Sequence, residues 1–540
     1  MLILENTFAN PSAMTNAGYE APNRFLILGL GESGVAMAKW CLRNGASVRL
    51  ADTRDQSKLS ARQNAVLEEL RLAGLSDIQF GQLNESLLSD IDVIGISPGL
   101  SPLQEPVQSF LVKARKARVD VWSEIEFFAR AIAALERMAL ESKSSYSSIV
   151  LAITGTNGKT TTTALTGQLC ERAGKKVAVA GNISPAALEK LMSCLDHADQ
   201  LEDMPDIWVL ELSSFQLVHT SNLNPSAATV LNLSQDHLDW HGDMSSYAQA
   251  KAKIFGKDTI CILNRDDPLV MGLLTEEQKN DRTIVTFAAN TPHEQGAFGI
   301  EHDLRAGGID WLVWAEIDED LELRPKRRRK NVAAEDGEPL RLKRLIPADA
   351  LRIRGRHNAL NALAALALAR AADLPMNVLL HGLRDYHGEP HRVQSIAIVR
   401  DVEYINDSKG TNVGATVAAL NGLGNNEAGK KIWLIAGGDG KGQDFSPLRE
   451  PALRFVKGVF LIGKDAERIA EVLSDHVPCS ISETLQAAVH EASAQAQSGD
   501  MVLLSPACAS FDQFRDYIER AEVFVSEVEE LGMRFEGVQA

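Results

Sequence analysis

The sequence has no closely spaced cysteines and no long hydrophobic run. Its six cysteines lie far apart, with no C-x-x-C pair, which excludes a disulfide framework and a cysteine zinc site. We interpret them as buried thiols of a reducing cytosol. No apolar run reaches the roughly 18 residues of a membrane span. Residues 1–23 lack a basic start followed by an apolar core, so we expect neither export nor membrane insertion, and a cytoplasmic location.

Basic residues are in the minority. The sequence contains 55 lysines and arginines and 72 aspartates and glutamates, which gives a net charge of −17. A chain this acidic is repelled by nucleic acid and by anionic lipid surfaces, so we expect neither as a partner. Any anionic ligand must therefore be held by a local site. Charged residues (24%) and hydrophobic residues (45%) occur at ordinary globular frequencies, which argues against extensive disorder.

The length exceeds what one hydrophobic core serves. At the usual domain size, 540 residues divide into about three or four domains, and we expect three. Short apolar runs alternate with helical patterns, which predicts an α/β fold. We place a Rossmann-like domain at 1–123, a central P-loop ATPase-like domain with a mostly parallel sheet at 124–387, and a C-terminal Rossmann-like α/β domain at 388–540. A charged insertion at about 316–345 is expected to form a solvated loop or hairpin.

The most informative stretch is a turn rich in glycine and threonine. It follows an apolar, β-branched run at 148–153, precedes a helical pattern, and reads Thr154-Gly155-Thr156-Asn157-Gly158-Lys159-Thr160-Thr161. A strand-to-helix turn of this kind points backbone N–H groups and the positive helix end at a phosphate. Lys159 then reaches the outer phosphates, and the Thr160 hydroxyl is placed to ligate Mg²⁺. The loop is shorter than the general P-loop pattern, and a turn without a ligand is the alternative; we predict a nucleoside triphosphate site.

A second glycine-rich turn lies near the start of the chain. A strand candidate at 24–28 precedes Gly29-Leu30-Gly31-Glu32-Ser33-Gly34, and Asp52 ends the next strand. A G-x-G-x-x-G turn with an acidic residue about 20 positions on is the outline of a dinucleotide fingerprint. NAD, FAD and a UDP-sugar all carry a diphosphate that fits such a turn, and close packing of a helix on a strand also requires glycines. The pattern leaves these alternatives open.

Two apolar runs of the middle segment carry side chains that bind metals. Glu211 lies within the run 207–212, and His237 follows the run 227–233. A carboxylate in an apolar strand is costly to bury without a partner. With Thr160, these side chains form an oxygen and nitrogen ligand set for a divalent ion. An arginine-paired glutamate and a histidine that caps a turn are the alternatives.

In the order in which they occur, these motifs resemble those of the Mur ligases, ATP-dependent amide-forming enzymes of peptidoglycan precursor synthesis. The resemblance spans nearly the whole chain, and its last run is the most typical of the branch that adds D-glutamate. The residues that carry it are Thr154 to Thr160, Glu211 to Leu217, Asp236-His237, Tyr247 to Lys251, His357 to Ala359, His391-Arg392, Asn406 to Lys409, Gly437 to Lys441 and Ser505 to Phe514.

The resemblance implies roles for individual residues. The UDP-sugar would bind at Ser33, Asp52, Thr53, Arg54 and Gly99, with Asn182 and His237 nearer its muramoyl-alanine end. ATP would bind at Gly155, Thr156, Asn157, Gly158, Lys159, Thr160, Thr161, Asn358, Arg392 and Asp407. D-glutamate would bind at Thr411, Lys441, Ser510 and Phe511. Metal ligands would be Thr160, Glu211, His237 and Lys251. The catalytic residues would be Lys159, His237 and Lys251.

Lys251 is a special case. Residue type alone places a lysine on the surface, whereas the resemblance implies that CO₂ converts Lys251 into a carbamate that ligates a second Mg²⁺. Two positions depart from the family pattern. Glu32 stands in the uridine loop where we expect an uncharged side chain, and Tyr517 stands where we expect phenylalanine.

The implied activity is the ATP-dependent addition of D-glutamate to UDP-N-acetylmuramoyl-L-alanine through an acyl phosphate, by a monomer with two Mg²⁺ ions. Such a ligase serves cell wall biogenesis, cell shape and cell division. One alternative is another amino acid ligase, of the Mur or folylpolyglutamate synthase type, although the D-N-P-R run of the ligases that add diaminopimelate or lysine is absent. An NAD-binding Rossmann protein is a further alternative, but it leaves Lys159, Glu211 and Lys251 without a role. A nucleotide-gated interaction protein without turnover, with the charged insertion as its partner surface, is another.

Overall fold

The computed structural model describes residues 2–9, 22–75, 77–304, 308–317, 340–424 and 431–536. These residues form three mainly parallel sheets, each flanked by helices, in the order of the sequence. The predicted α/β class with three domains is confirmed. Across these ranges, no helix is both long and apolar enough to cross a membrane.

The first domain is a parallel sheet. Its described strands lie in the order β3-β2-β1-β4-β5, so the order reverses beside β1 and the loops after β1, β2 and β4 meet at one edge. The strands are β1 (Arg24–Leu28), β2 (Ser47–Asp52), β3 (Asp77–Phe80), β4 (Val93–Ile96) and β5 (Asp120–Trp122). The helices are α1 (Glu32–Arg43), α2 (Ala61–Leu72) and α3 (Val107–Lys116).

The central sheet has the described order β14-β13-β12-β11-β10-β9-β6-β8-β7, and only β13 pairs antiparallel with its neighbours. The strands are β6 (Ile149–Thr154), β7 (Val177–Gly181), β8 (Ile207–Glu211), β9 (Ala227–Val230), β10 (Ile260–Asn264), β11 (Ile284–Phe287), β12 (Phe298–Asp303), β13 (Ile309–Ile317) and β14 (Leu340–Pro347). The predicted insertion at 316–345 falls mostly on residues 318–339, which lie outside the described residues; its two flanks pair as β13 and β14.

Helices cover both faces of the central sheet. They are α4 (Glu124–Ser142), α5 (Lys159–Arg172), α6 (Ala187–His197), α7 (Ser214–Val218), α8 (Leu238–His241), α9 (Met244–Ala252), α10 (Pro268–Met271), α11 (Glu276–Asn280), α12 (Arg356–Ala371) and α13 (Met376–Asp385). All alanines of α12 except the half-buried Ala371 are buried, and their small size lets this helix approach α5 closely. The first two domains share one hydrophobic core, in which the ring of Phe25 from β1 lies 5.5 Å from that of Phe127 from α4.

The third domain has the described strand order β15-β16-β20-β17-β18-β19, with β15 antiparallel and the others parallel. The strands are β15 (Gln394–Val399), β16 (Val402–Asn406), β17 (Ile432–Gly437), β18 (Val456–Ile462), β19 (Cys479–Ile481) and β20 (Met501–Leu504). The helices are α14 (Val413–Leu423), α15 (Arg449–Phe455), α16 (Ala466–Leu473), α17 (Leu485–Gln495) and α18 (Tyr517–Glu536). The expectation of six buried thiols is wrong in part, because Cys194 and Cys479 are half-buried.

Candidate active site

The glycine-rich turn 155–158 joins β6 to α5. Gly158 has a φ of 84° and is the N-cap of α5, and a Cβ at this position would lie 2.4 Å from Asn361 Oδ1. Asn232, just after β9, holds the turn from the other side: Asn157 N donates to Asn232 Oδ1 at 2.8 Å, and Asn232 Nδ2 donates to Asn157 O at 3.0 Å. The turn is therefore fixed by side chains of two neighbouring elements and leaves its N–H groups at the helix start, as a phosphate site requires.

Two lysines meet at this turn. Lys159 Nζ donates to Gly155 O at 2.9 Å and to Thr156 O at 2.8 Å. Lys251 Nζ, from α9, donates to Gly155 O at 2.9 Å and to Thr154 Oγ1 at 3.2 Å. Lys251 is 2% exposed, which overturns the surface position that residue type alone predicts. Burial lowers the pKa of Lys159 and holds that of Lys251 well below its ordinary value, because an ammonium loses its hydration there.

Glu211 ends β8 beside these lysines and is 3% exposed. Its Oε1 accepts a hydrogen bond from Asn182 Nδ2 at 2.8 Å, while its Oε2 has no partner among the described residues. The negative charge of Glu211 raises the pKa of both lysines against the larger effect of burial. A buried carboxylate oxygen without a donor marks a place for a cation.

His237 lies at the start of α8 in the left-handed region, with a φ of 53°. Its Nε2 is 3.5 Å from Asp236 Oδ2, and its ring packs edge-on against Phe215 at 4.8 Å. Burial lowers the pKa of His237 below its ordinary value; the charge of Asp236 opposes this effect, and the charges of Lys441, Lys159 and Lys251 add to it. Among the described residues, no group of three or more His, Cys, Asp and Glu side chains is arranged to hold a metal ion.

The third domain reaches the phosphate turn directly. Arg392 Nη2 donates to Thr160 Oγ1 at 2.9 Å, and Lys409 Nζ donates to the same oxygen at 3.3 Å. Asn412 Nδ2 donates to Asn157 Oδ1 at 3.0 Å. Burial, and next the charge of Arg392, lower the pKa of Lys409 to about 8. Positive charge from this domain therefore faces the site that the turn offers to phosphates.

A cavity of about 300 Å³ lies between the second and third domains. It brings together six of the predicted ATP residues with apolar walls that suit a flat base. Asp407 is among them: burial raises its pKa to about 6, while Ser505 Oγ donates to its Oδ2 at 2.7 Å. The six predicted residues are Asn157, Gly158, Thr161, Asn358, Arg392 and Asp407.

The first domain holds its acidic residue at the carboxyl edge of the sheet. Asp52 is 3% exposed and accepts from Leu30 N at 2.7 Å, Arg54 N at 2.9 Å and Arg54 Nε at 2.8 Å. Burial opposes ionisation, but these donors hold the pKa of Asp52 below its ordinary value. A Cβ at Gly34 would lie 1.9 Å from Gly29 O, so the turn requires glycine there. The predicted residue Ser33 lies in the first turn of α1, and Thr53 and Gly99 lie in the loops after β2 and β4 at the same edge.

Four residues of the third domain were assigned to D-glutamate. Thr411, Lys441 and the pair Ser510 and Phe511 follow β16, β17 and β20, which are neighbours in the sheet, so they lie along one edge. Ser510 is 3% exposed and Phe511 is 72% exposed. Lys441 is close enough to the central domain for its charge to lower the pKa of His237.

Three family profiles match the chain in succession. Residues 23–122 match the MurD-like N-terminal domain of Mur ligases, 153–369 the Mur ligase middle domain, and 391–508 the Mur ligase glutamate ligase domain. The UDP-N-acetylmuramoylalanine–D-glutamate ligase of Cupriavidus metallidurans is 55% identical over 517 residues, which cover 94% of this chain and 97% of the relative. This chain belongs to the Mur ligase family. The enzyme of the same name from Ralstonia nicotianae is 55% identical over 92% of this chain and 95% of its own length.

Solved structures of other Mur ligases share the fold. MurF from Acinetobacter baumannii has a TM-score of 0.55 at 16% identity, over 93% of each chain. MurF from Thermotoga maritima, solved in complex with ADP, has a TM-score of 0.53 at 17% identity, over 81% of this chain and 95% of that one. At these identities the likeness concerns architecture alone. The resemblance to Mur ligases drawn from the motifs is confirmed.

Sequence reasoning gave no role to Lys409, Asn412 or Asn232, although all three contact the phosphate turn of this Mur ligase. A signal existed for Lys409, since a cation directly after the carboxyl end of a parallel strand lies where ligands bind. No sequence pattern predicts the hydrogen bond between Asn412 and Asn157, because the contact joins residues of two domains.

Proposed function

We propose that this Mur ligase is the UDP-N-acetylmuramoyl-L-alanine:D-glutamate ligase, which forms an amide bond at the expense of ATP in cytoplasmic peptidoglycan precursor synthesis. The observation that carries the proposal is 55% identity over 94% of the chain to a relative that bears this name. The site supports it, because the binding edges of the three domains adjoin one another. We further propose that the enzyme acts as a monomer.

Each domain takes one substrate in this proposal. The first domain holds the UDP part at Ser33, Asp52, Thr53, Arg54 and Gly99, with Asn182 and His237 nearer the muramoyl-alanine end. The turn 155–161 binds the ATP phosphates, and the cavity beside Asn358, Arg392 and Asp407 takes the adenosine. The third domain binds D-glutamate through Lys441, Thr411, Ser510 and Phe511. The ammonium of Lys441 and the hydroxyls of Thr411 and Ser510 suit the carboxylates of that amino acid.

The chain fits Mg²⁺ at the phosphate turn. Glu211 Oε2 is buried without a donor among the described residues, which favours a cation, and Thr160, His237 and Lys251 as a carbamate complete the proposed ligands. Substrate phosphates supply further oxygens, in keeping with the habit of Mg²⁺ sites. When bound, the metal supplies positive charge that stabilises the transferring phosphoryl group.

Lys251 fits the proposed carbamate chemically. Only a neutral amine attacks CO₂, and burial favours the neutral amine by lowering the pKa of Lys251. The amine nitrogen forms a bond to the carbon of CO₂ and releases one proton, which leaves a carbamate with one negative charge. The product turns a buried cation into an oxygen ligand next to Glu211.

The reaction proceeds by two displacements. An oxygen of the L-alanyl carboxylate attacks the γ-phosphorus of ATP and ADP leaves, while Lys159 stabilises the charge on the transferring group. The amine of D-glutamate then attacks the carbonyl carbon of the acyl phosphate, loses a proton, and expels inorganic phosphate. Contact of Arg392 and Lys409 with Thr160 closes the third domain over the phosphate turn, which excludes water that would hydrolyse the acyl phosphate.

The test follows the oxygen atoms. UDP-N-acetylmuramoyl-L-alanine labelled with ¹⁸O in its carboxylate is incubated with ATP, Mg²⁺ and D-glutamate, and products are analysed by mass spectrometry. The proposal predicts a UDP-sugar heavier by one glutamyl residue, and one ¹⁸O in each phosphate released. An unchanged UDP-sugar contradicts the proposed function, and a glutamyl product with unlabelled phosphate contradicts the acyl phosphate.

A further inference from the structure

Glu32 joins two domains. It is the first residue of α1, within the glycine-rich turn of the first domain, but its carboxylate points to the central domain. Ser184 Oγ donates to its Oε2 at 2.9 Å, and Ala186 N donates to its Oε1 at 3.1 Å. An uncharged aliphatic side chain at this position could accept neither hydrogen bond. The charge that distinguishes this uridine turn from the family pattern therefore has a defined use.

The segment that Glu32 binds is a tight turn, residues 181–186, between β7 and α6. Gly181 N donates to Pro185 O at 3.0 Å and closes the turn on itself. Asn182 N donates to Glu211 O at 2.7 Å, and its Nδ2 donates to Glu211 Oε1 at 2.8 Å. A Cβ at Gly181 would lie 2.3 Å from Glu211 O, so the turn rests directly on the strand that carries Glu211. One end of the turn faces the site and the other is held by Glu32.

Helix capping does not account for Glu32. Glu124 already serves the start of α6, since Leu188 N donates to its Oε1 at 2.6 Å. Glu32 instead binds Ser184 and Ala186, which precede the helix. Its neighbour Leu30 donates its N–H to Asp52 at 2.7 Å. The same short stretch therefore orders the UDP-binding edge and holds the turn that carries Asn182.

We infer that Glu32 is a positioning residue that sets the distance between the UDP-binding turn and Asn182, and so the span that the UDP-sugar must bridge. The inference rests on the proposed function, because it requires one substrate to contact both turns. Asn182 is exposed, and its Nδ2 donates to Glu211 Oε1 at 2.8 Å, so its side chain lies beside the proposed metal ligand, where the muramoyl-alanine end would bind. Glu32 acts on the substrate through this turn, not through contact with the uridine.

The test separates the two ends of the substrate. Calorimetry measures the binding of UDP alone and of UDP-N-acetylmuramoyl-L-alanine to Glu32→Leu, which removes both acceptors. We expect the Kd of UDP to stay within about twofold, and the Kd of the full substrate to rise about tenfold, the loss expected from one or two hydrogen bonds to a carboxylate. The KM for ATP should not change. Equal weakening of UDP and of the full substrate overturns the inference.

Conservative variants distinguish the effect of the hydrogen bonds between Glu32 and the turn 181–186 from the effect of the charge on Glu32. Glu32→Gln keeps an acceptor for Ala186 N and a polar partner for Ser184, so it should bind the full substrate nearly as tightly as the wild type. The Kd of the full substrate for Ser184→Ala should lie between the values for Glu32→Gln and Glu32→Leu. Glu189 lines a cavity of about 800 Å³ together with Glu32 and Ser184, so Glu189→Gln is the matched control and should leave the Kd of both ligands unchanged. If Glu32→Gln raises the Kd of the full substrate as much as Glu32→Leu does, the hydrogen bonds to the turn are not what positions Asn182, and the inference is contradicted.

A double-mutant cycle tests the route through the turn. Asn182→Ala should weaken binding of the full substrate. Combining Asn182→Ala with Glu32→Leu or Ser184→Ala should weaken that binding little further. Additive losses overturn the inference, and Ser184→Ala serves in the cycle if Glu32→Leu fails to fold. A wild-type protein that binds UDP but not UDP-N-acetylmuramoyl-L-alanine contradicts the proposed function itself, so the two failures are distinguishable.

Discussion

Lys251 Nζ and Lys159 Nζ both lie 2.9 Å from the carbonyl oxygen of Gly155 and donate to it from different helices. Burial, and next the charge of Lys159, lower the pKa of Lys251. Two ammonium groups on one carbonyl are unfavourable, so the arrangement favours the neutral amine at the more buried position. The geometry thus assigns the two lysines different chemistry: Lys159 remains beside the phosphates, and Lys251 is suited to react with CO₂.

The first prediction concerns Lys251. Lys251→Ala should lower kcat by about 100-fold or more, because the site loses an anionic metal ligand. Acetate or formate should restore part of the activity, since a small carboxylate fits the space of the carbamate. Lys253→Ala, two residues further along, is the control and should keep near-normal kcat. Failure of both acids to restore activity to a folded Lys251→Ala protein would count against the carbamate.

The second prediction concerns Lys159. Lys159→Ala should lower kcat by about 100-fold to 1,000-fold, the usual loss when one preorganised charge at a reacting group is removed. The Kd of UDP-N-acetylmuramoyl-L-alanine should stay within about twofold, because the first domain binds its UDP part elsewhere. Steady-state kinetics and calorimetry on one preparation check both values. Normal turnover in the variant would refute the assigned role.

The third prediction uses two glycines of similar backbone conformation. Gly158 and Gly174 have φ values of 84° and 80°, but a Cβ at Gly158 would lie 2.4 Å from Asn361 Oδ1, whereas no atom of the described residues lies within 4 Å of a Cβ at Gly174. Gly158→Ala should lower kcat/KM for ATP by about tenfold or more, because a clash adds to the cost of a left-handed residue, itself about 1–2 kcal/mol. Gly174→Ala carries only the free-energy cost of the left-handed backbone and should keep its KM for ATP. Equal effects would show that the clash is unimportant.

The fourth prediction concerns Glu124 at the start of α4. Burial raises its pKa to about 7, so between the unfolded pKa of about 4.5 and this value the folded state retains a proton that the unfolded chain loses. The contribution of protonated Glu124 to the free energy of unfolding is therefore fully present below about pH 4.5 and is lost as the pH rises through about 7. Glu124→Gln should remove this contribution while its amide oxygen still accepts from Leu188 N.

Thermal unfolding at about pH 5 and about pH 8 tests this sign. The apparent Tm of the wild type should fall, relative to that of Glu124→Gln, by a few degrees between the two values. Glu136→Gln, on the same helix, is the matched control, because its pKa is raised less by partial burial. The opposite sign, or a parallel change in all three proteins, would contradict the assigned pKa.

The local patterns determined much of the site in advance. The run around Gly155 to Thr161 predicted the phosphate turn, because a strand, a glycine-rich turn and a helix adjoin in the sequence. The strands β3 (Asp77–Phe80) and β5 (Asp120–Trp122) were missed, since they are short edge strands with few fully buried residues and lack a clear apolar run.

Contacts between segments that are distant in the sequence could not be predicted from it. The burial of Lys251 follows from the packing of α9 against the phosphate turn, which no periodicity in 244–252 predicts. The hydrogen bonds from Arg392 and Lys409 to Thr160 depend on how the third domain docks. Glu32 was recognised as a departure from the family pattern, but only its contact with Ser184 and Ala186 gives the departure a physical reason.

The most direct measurement of the central claim is phosphate release from ATP and Mg²⁺ with UDP-N-acetylmuramoyl-L-alanine, comparing D-glutamate with L-glutamate, L-lysine and D-alanine. The account predicts release that depends on both the UDP-sugar and D-glutamate, and little release with the other three amino acids. Release with one of those three instead of D-glutamate would contradict the assignment of Thr411, Lys441, Ser510 and Phe511. No release with any amino acid would contradict the proposed ligase.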